Sequence, residues 1–95
     1  MKIIIVGAGQ VGFHIASRLA YENKDVVVID TDPEAISQVA EKIDVDGIVG
    51  SGSSPRILAE AGIKEAEILL AVTERGEANL VARLVAGTIS PTTKK

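Results

Sequence analysis

The chain has no cysteine, so disulfides and thiolate metal sites are excluded, and a reducing interior suits it. It has a single histidine, His14, with no partner nucleophile or second metal ligand visible for it, so a solvated or interface side chain is its expected role. Positive charge is scarce and scattered. Ten basic residues stand against 13 acidic ones, for a net charge of −3, and Lys94-Lys95 are too few to make a footprint for nucleic acid or an anionic membrane. No apolar run approaches the ~18 residues of a membrane helix. The first apolar run breaks at Gly7, which leaves no room for a signal peptide, and a cytoplasmic location is expected. A length of 95 residues with 46% hydrophobic content describes one domain, residues 1–95, with enough material for a core.

The stretch that organises the chain is Ile3-Ile4-Ile5-Val6-Gly7-Ala8-Gly9-Gln10-Val11-Gly12. Consecutive aliphatic residues suit a strand buried on both faces of a parallel sheet. The turn that follows reads Gly-x-Gly-x-x-Gly. Gly7 would let the chain turn sharply, Gly9 would remove a Cβ where a pyrophosphate approaches, and Gly12 would let the next helix lie close to the strand. Free N–H groups at that helix's start, with the positive end of its dipole, make an anion site that needs no basic side chain. The context supports the fingerprint. An apolar-periodic segment follows (Val11, Ile15, Leu19), then a second aliphatic run, Val26-Val27-Val28-Ile29, ending in Asp30, 18 positions beyond Gly12. An acid there accepts hydrogen bonds from the ribose of an adenosine. A tight strand-to-helix turn, with Asp30 merely opening a loop, is the plainer alternative.

Along the chain, the first helix is expected to run to about Glu22 with Val11, Ile15 and Leu19 facing the sheet and Phe13, His14 and Arg18 off that stripe. Thr31-Asp32-Pro33-Glu34 has capping-box spacing and a proline for the first turn, and Ile36, Val39, Ala40 and Ile43 follow as an apolar face. Val45 to Val49 reads as an edge strand, since it carries Asp46 and Gly47. Gly50-Ser51-Gly52-Ser53-Ser54-Pro55 is a loop with a serine cap; it is either a flexible linker or part of a ligand edge. Ile57, Leu58 and Ala61 form the apolar face of a third helix, and Gly62 followed by Ile63 forms its C-cap with its hydrophobic contact. Glu67 to Val72 is the fourth strand. A fourth helix with Leu80, Val81, Leu84 and Val85 facing inward would end at Gly87, and Thr88 to Lys95 has no apolar run.

The opening Met-Lys-Ile-Ile-Ile-Val-Gly-Ala-Gly-Gln-Val-Gly, then Val-Ile-Asp-Thr-Asp-Pro-Glu, the Gly-x-Gly-x-Ser-Pro loop at 50–55, and Ala-Val-Thr at 71–73 with Asn79-Leu80 resemble the TrkA N-terminal domain, also called the RCK N-terminal or KTN domain. The resemblance runs in register from residue 1 to about residue 87. It implies a regulatory module, not an enzyme, that binds NAD or NADH, or alternatively ATP, ADP or AMP. Its implied partner is a membrane potassium transporter or channel subunit on whose cytoplasmic side it sits, as a homo-oligomer of at least two copies. By position, Gly7, Gly9 and Gly12 would surround a pyrophosphate, with Ala8, Gln10 and Val11 beside it. Asp30 would hold the ribose, and Thr31, Asp32, Gly50, Ser51 and Thr73 would complete the cofactor-binding set, without metal or catalytic residues. The chain departs from the family at Ser51, where an acid or amide is common, and at Gly76, where a second acid is common. The family's domain continues with a fifth strand, a helix and a sixth strand, and Lys94-Lys95 stand where strand five would start. The fold class expected is therefore α/β, a Rossmann-type parallel sheet of order 3-2-1-4 cut before strands 5 and 6, with the fourth strand as an open edge prone to dimerise. The competing reading is the cofactor-binding part of an NAD-dependent oxidoreductase; a degenerate Rossmann fragment that binds nothing tightly is the third. The enzyme reading would need a proton-handling group and a substrate lobe.

Overall fold

The computed structural model describes residues 1–90 and 92–95; Pro91 lies outside them. The elements are β1 (Lys2–Val6), α1 (Gln10–Tyr21), β2 (Asp25–Asp30), α2 (Pro33–Lys42), β3 (Asp46–Val49), α3 (Pro55–Glu60), a 3₁₀ turn (Ile63–Glu65), β4 (Ala66–Ala71) and α4 (Gly76–Ile89). The strands form one parallel sheet in the order β3-β2-β1-β4, as expected of a doubly wound fold. Its register pairs Ile4 with Val27 on one side and with Leu69 on the other.

The isoleucine run is buried on both faces of the sheet. Ile3 and Ile5, with Val26 and Val28, point to the layer of α1 and α2, whereas Ile4 and Val6, with Val27 and Ile29, point to the layer of α3 and α4. This explains an unbroken aliphatic run where a one-sided sheet would alternate. Truncating one of these, Ile4 or Ile5 to Ala, costs about 2–5 kcal/mol by transfer and cavity terms. β3 is the exposed edge, with Asp46 and Gly47 open to solvent, as expected.

The helices pack differently from their apolar periodicity. In α1 the residues buried against the sheet are Gly12 and Ala16, with Phe13, Ile15 and Leu19 packed beside them, whereas Val11 is 58% exposed. Gly12 has to meet the backbone of Gly7, and seating that small residue turns Val11 out and brings Phe13 in. In α4, Ala82 and Ala86 are buried with Val85 and Ile89 packed alongside, while Leu80, Val81 and Leu84 are 57%, 45% and 62% exposed. The helix also runs through Gly87 to Ile89. In α2, Ile36 and Val39 are buried as expected, but Ala35 takes the packing position given to Ala40, which is exposed. Asp32, rather than Thr31, caps that helix, accepting from the Glu34 N–H at 3.0 Å. Ser54 caps α3, and Gly62 turns the chain at φ +86° before the 3₁₀ turn.

The fourth strand's edge is not open along its length. Lys94 pairs with it in parallel, its carbonyl accepting from Leu69 N–H at 2.7 Å and its N–H donating to Glu67 at 2.9 Å. Thr93, 2% exposed, anchors this contact, its hydroxyl lying 3.0 Å from the Ile63 carbonyl, 2.8 Å from that of Ala66 and 2.9 Å from Ser90 Oγ. A buried hydroxyl network therefore does what a missing apolar run could not.

Candidate functional site

A cleft of about 550 Å³ opens over the carboxyl ends of the strands. That volume lies within the range of roughly 300–1,000 Å³ of small-molecule sites. The chain steps from β1 outward through β2 to β3 and then returns to place β4 on the other side of β1, so the cleft sits where the winding reverses. Val6, Ile29 and Val72 supply apolar lining, and four polar loops border it: Gly9–Val11, Asp30–Asp32, Gly50–Ser53 and Thr73–Arg75. Hydrogen bonds continue the ladders past the strand ends and fix three of these loops: Gly7 N–H donates to Ile29 (2.7 Å), Gly50 N–H to Asp30 (2.9 Å) and Val72 N–H to Val6 (2.8 Å).

In the glycine turn each glycine has a separate role. Gly7 adopts φ +117°, a conformation that L side chains rarely take. At Gly12 a Cβ would lie 1.9 Å from the Gly7 carbonyl oxygen, so only glycine permits this approach of α1 to β1. Gly9 is the opposite case. It has ordinary extended backbone (φ −76°, ψ −163°), a Cβ built there would meet nothing within 4 Å, and it borders the cleft. The Cβ position at Gly9 is open space. The first-turn amides of α1, at Gln10, Val11 and Gly12, have no intrahelical acceptor and carry the positive end of the helix dipole.

Asp30 is placed to do more than the sequence implies. Its Oδ2 accepts from Ala8 N–H at 2.7 Å and its Oδ1 accepts from Asp32 N–H at 2.9 Å, so one carboxylate braces the glycine turn and the start of α2. Each carboxylate oxygen has a second lone pair, which leaves the group able to accept from a ligand hydroxyl as well. The Ala8 amide, by contrast, is already engaged, and its residue is 8% exposed. On the β3 side the Ser51 and Ser53 hydroxyls face each other at 2.7 Å and remain exposed. On the β4 side Asn79, from the first turns of α4, clasps Thr73: its Oδ1 accepts from Thr73 N–H at 3.0 Å and its Nδ2 donates to the Thr73 carbonyl at 2.9 Å.

Of the residues expected to form the site, Gly9, Gln10, Val11, Asp30, Thr31, Asp32, Gly50, Ser51 and Thr73 line the cleft, whereas Gly7, Ala8 and Gly12 lie beneath it as the turn's framework. His14 is exposed on α1 and lies outside the lining. The structure adds Ser53, Glu74, Arg75 and Ala78. A rule was available for these: in a parallel sheet every loop that follows a strand reaches the ligand edge, including the one after β4. Among the described residues no cluster of His, Cys, Asp and Glu could hold a metal ion, and no helix is long and apolar enough to cross a membrane.

The chain is 52% identical over 82 residues, 86% of its length, to the Trk system potassium uptake protein TrkA of Azorhizobium caulinodans, and it spans 18% of that relative. In fold it is similar to the TrkA-N domain of the Escherichia coli inner membrane protein ybaL (TM-score 0.88, 22% identity, 97% of this chain and 67% of that one). It is also similar to the AMP-bound Kef C-terminal domain of Shewanella denitrificans (TM-score 0.84, 22% identity, 99% of this chain and 56% of that one). The family model described as the TrkA-N domain matches residues 3–95, and the chain belongs to that family.

Proposed function

We propose that this domain is a sensor that binds an adenine nucleotide across the glycine turn and passes the bound state to a membrane potassium uptake system. One observation carries the ligand reading: at Gly9 the backbone is ordinary and the Cβ position is open, directly beside uncapped amides of α1 and over a cleft of about 550 Å³. Protein packing does not account for a glycine there, and a phosphate does. Asp30, at the end of β2, would take the ribose hydroxyls, while Asp30 and Asp32 together would repel a 2′-phosphate. The occurrence of the same fold with AMP bound is in keeping with this.

A regulatory role, rather than an oxidoreductase's cofactor lobe, is supported by the lining. Among the described residues its titratable side chains are Asp30, Asp32, Glu74 and Arg75, with no histidine, cysteine, lysine or tyrosine to pass a proton, and the sequence relatives are potassium uptake proteins. The domain would work from the cytoplasmic face in an assembly of at least two copies. The exposed Leu80, Val81 and Leu84 on α4 favour such an assembly. Ligand would shift the balance between two arrangements of that assembly, and only a difference in affinity for the two can do so. The direct experiment is to denature the purified protein and identify any nucleotide released, then to titrate AMP, ADP, ATP, NAD and NADP by calorimetry. Retention of all binding by Gly9→Val would place the phosphate site elsewhere.

A further inference from the structure

The charged side chains around the cleft are unevenly arranged. Asp30 and Asp32 stand on the β2 side, and Glu74 and Arg75 on the β4 side, with Arg75 the one cation among the described lining residues. Since β2 and β4 flank β1 on opposite sides, a ligand with its ribose at Asp30 and its phosphates over Gly9 presents its outer end to Thr73–Arg75. That loop is held in place. Arg75 N–H donates to Thr73 Oγ1 at 3.2 Å, Asn79 clasps Thr73 from α4, and the backbone at Arg75 is thereby fixed while the side chain stays exposed at the cleft.

We propose, on the basis of the nucleotide reading above, that Arg75 sets the specificity for the ligand's outer end, its guanidinium holding the terminal phosphate of a nucleoside di- or triphosphate. A planar guanidinium fork matches phosphate oxygens in a way that a nicotinamide riboside cannot exploit, and the oxidised nicotinamide ring is itself cationic. Glu74 lowers the mean potential at this wall but offers a phosphate no donor, so the preference rests on short-range contact at Arg75 rather than on the field. ADP and ATP are therefore held more tightly than AMP or NAD. Because Arg75 is exposed, solvent and salt screen the pair, and the gain is about two- to fivefold.

Calorimetric titration of AMP, ADP, ATP and NAD into the 95-residue chain and into Arg75→Gln and Arg75→Lys tests this. Thermal unfolding checks that each variant is folded, as expected for an exposed position. The expected result is that Arg75→Gln loses the roughly two- to fivefold advantage of ADP and ATP and leaves AMP and NAD unchanged, and that Arg75→Lys regains part of the loss. If AMP binds but ADP and ATP bind no more tightly, or if Arg75→Gln weakens all four alike, the assignment of Arg75 is overturned while the nucleotide reading stands. If none of the four binds, both fall.

Discussion

Replacing Asp30 by Ala should unsettle the domain before any ligand is added. The carboxylate receives two backbone N–H groups, from Ala8 at 2.7 Å and from Asp32 at 2.9 Å, and methyl replaces it with nothing that can accept. The bond to Ala8 is partly buried and charge-assisted, so losing it and stranding the amide costs about 1.5–3 kcal/mol. The bond to Asp32 is exposed, water can take its place, and roughly 0.5–1 kcal/mol is lost there. The sum of about 2–4 kcal/mol is a large part of the roughly 5–15 kcal/mol that holds a domain of this size, so the variant should stay folded with its midpoint lowered by about 10–25 °C. Asp30→Asn keeps one acceptor oxygen and should lose only about 1 kcal/mol. Thermal and urea unfolding of nucleotide-free protein provide the measurement, with nucleotide affinity taken at a temperature where all forms are folded. An unchanged midpoint for Asp30→Ala, with nucleotide affinity reduced, would refute the bracing role and return the residue to ligand contact alone.

Gly9→Val should remain folded, because a side chain there has open space and the backbone suits an L residue, yet binding of every adenine nucleotide should be lost in calorimetry; normal binding by a folded variant would move the phosphate site. Gly12→Ala should do the reverse in order of cause, lowering stability by about 3 kcal/mol or more because its Cβ would sit 1.9 Å from a backbone oxygen of Gly7, with circular dichroism as the assay. If the ribose sits at Asp30 as proposed, NAD should bind at least about tenfold more tightly than NADP, since Asp30 and Asp32 both line the cleft and residues 31–35 include no arginine or lysine to offset a 2′-phosphate; equal affinities would sink the ribose role of Asp30.

The strands and their order were legible because β1 and β2 are apolar without interruption, and the glycine spacing between them admits one winding. The faces of α1 and α4 were not. Apolar periodicity weights large side chains, but α1 is drawn against the sheet by the contact of Gly12 with Gly7, so Gly12 and Ala16 face inward and Val11 is displaced to the surface; in α4 Ala82 and Ala86 are likewise buried while Leu80 and Leu84 are exposed. In α1 that displacement brings Val11 to the cleft. Asp30 was found from its place after β2, but its bonds to Ala8 and Asp32 depend on how two loops meet in space, which no local pattern encodes. The same holds for the hydroxyl of Thr93, whose partners lie 27 and 30 positions away.

That hydroxyl bears on how the domain associates. A parallel sheet of order 3-2-1-4 leaves β4 as an edge, and an apolar edge with unpaired backbone groups is a template for another chain. Here Lys94 already occupies the backbone groups of Glu67 and Leu69, and Thr93, buried against the carbonyls of Ile63 and Ala66, keeps it there. Thr93→Val preserves the shape and deletes the donor, leaving buried carbonyls to be rehydrated at a cost of about 1–3 kcal/mol, which favours release of the last residues. Once released, β4 is open along Glu67 to Leu69. Sedimentation velocity over a concentration series should therefore show Thr93→Val associating at concentrations where the parent chain does not associate through this edge. If Thr93→Val sediments and unfolds like the parent chain, the tail is held by something other than this hydroxyl, and the protection of the β4 edge does not depend on it.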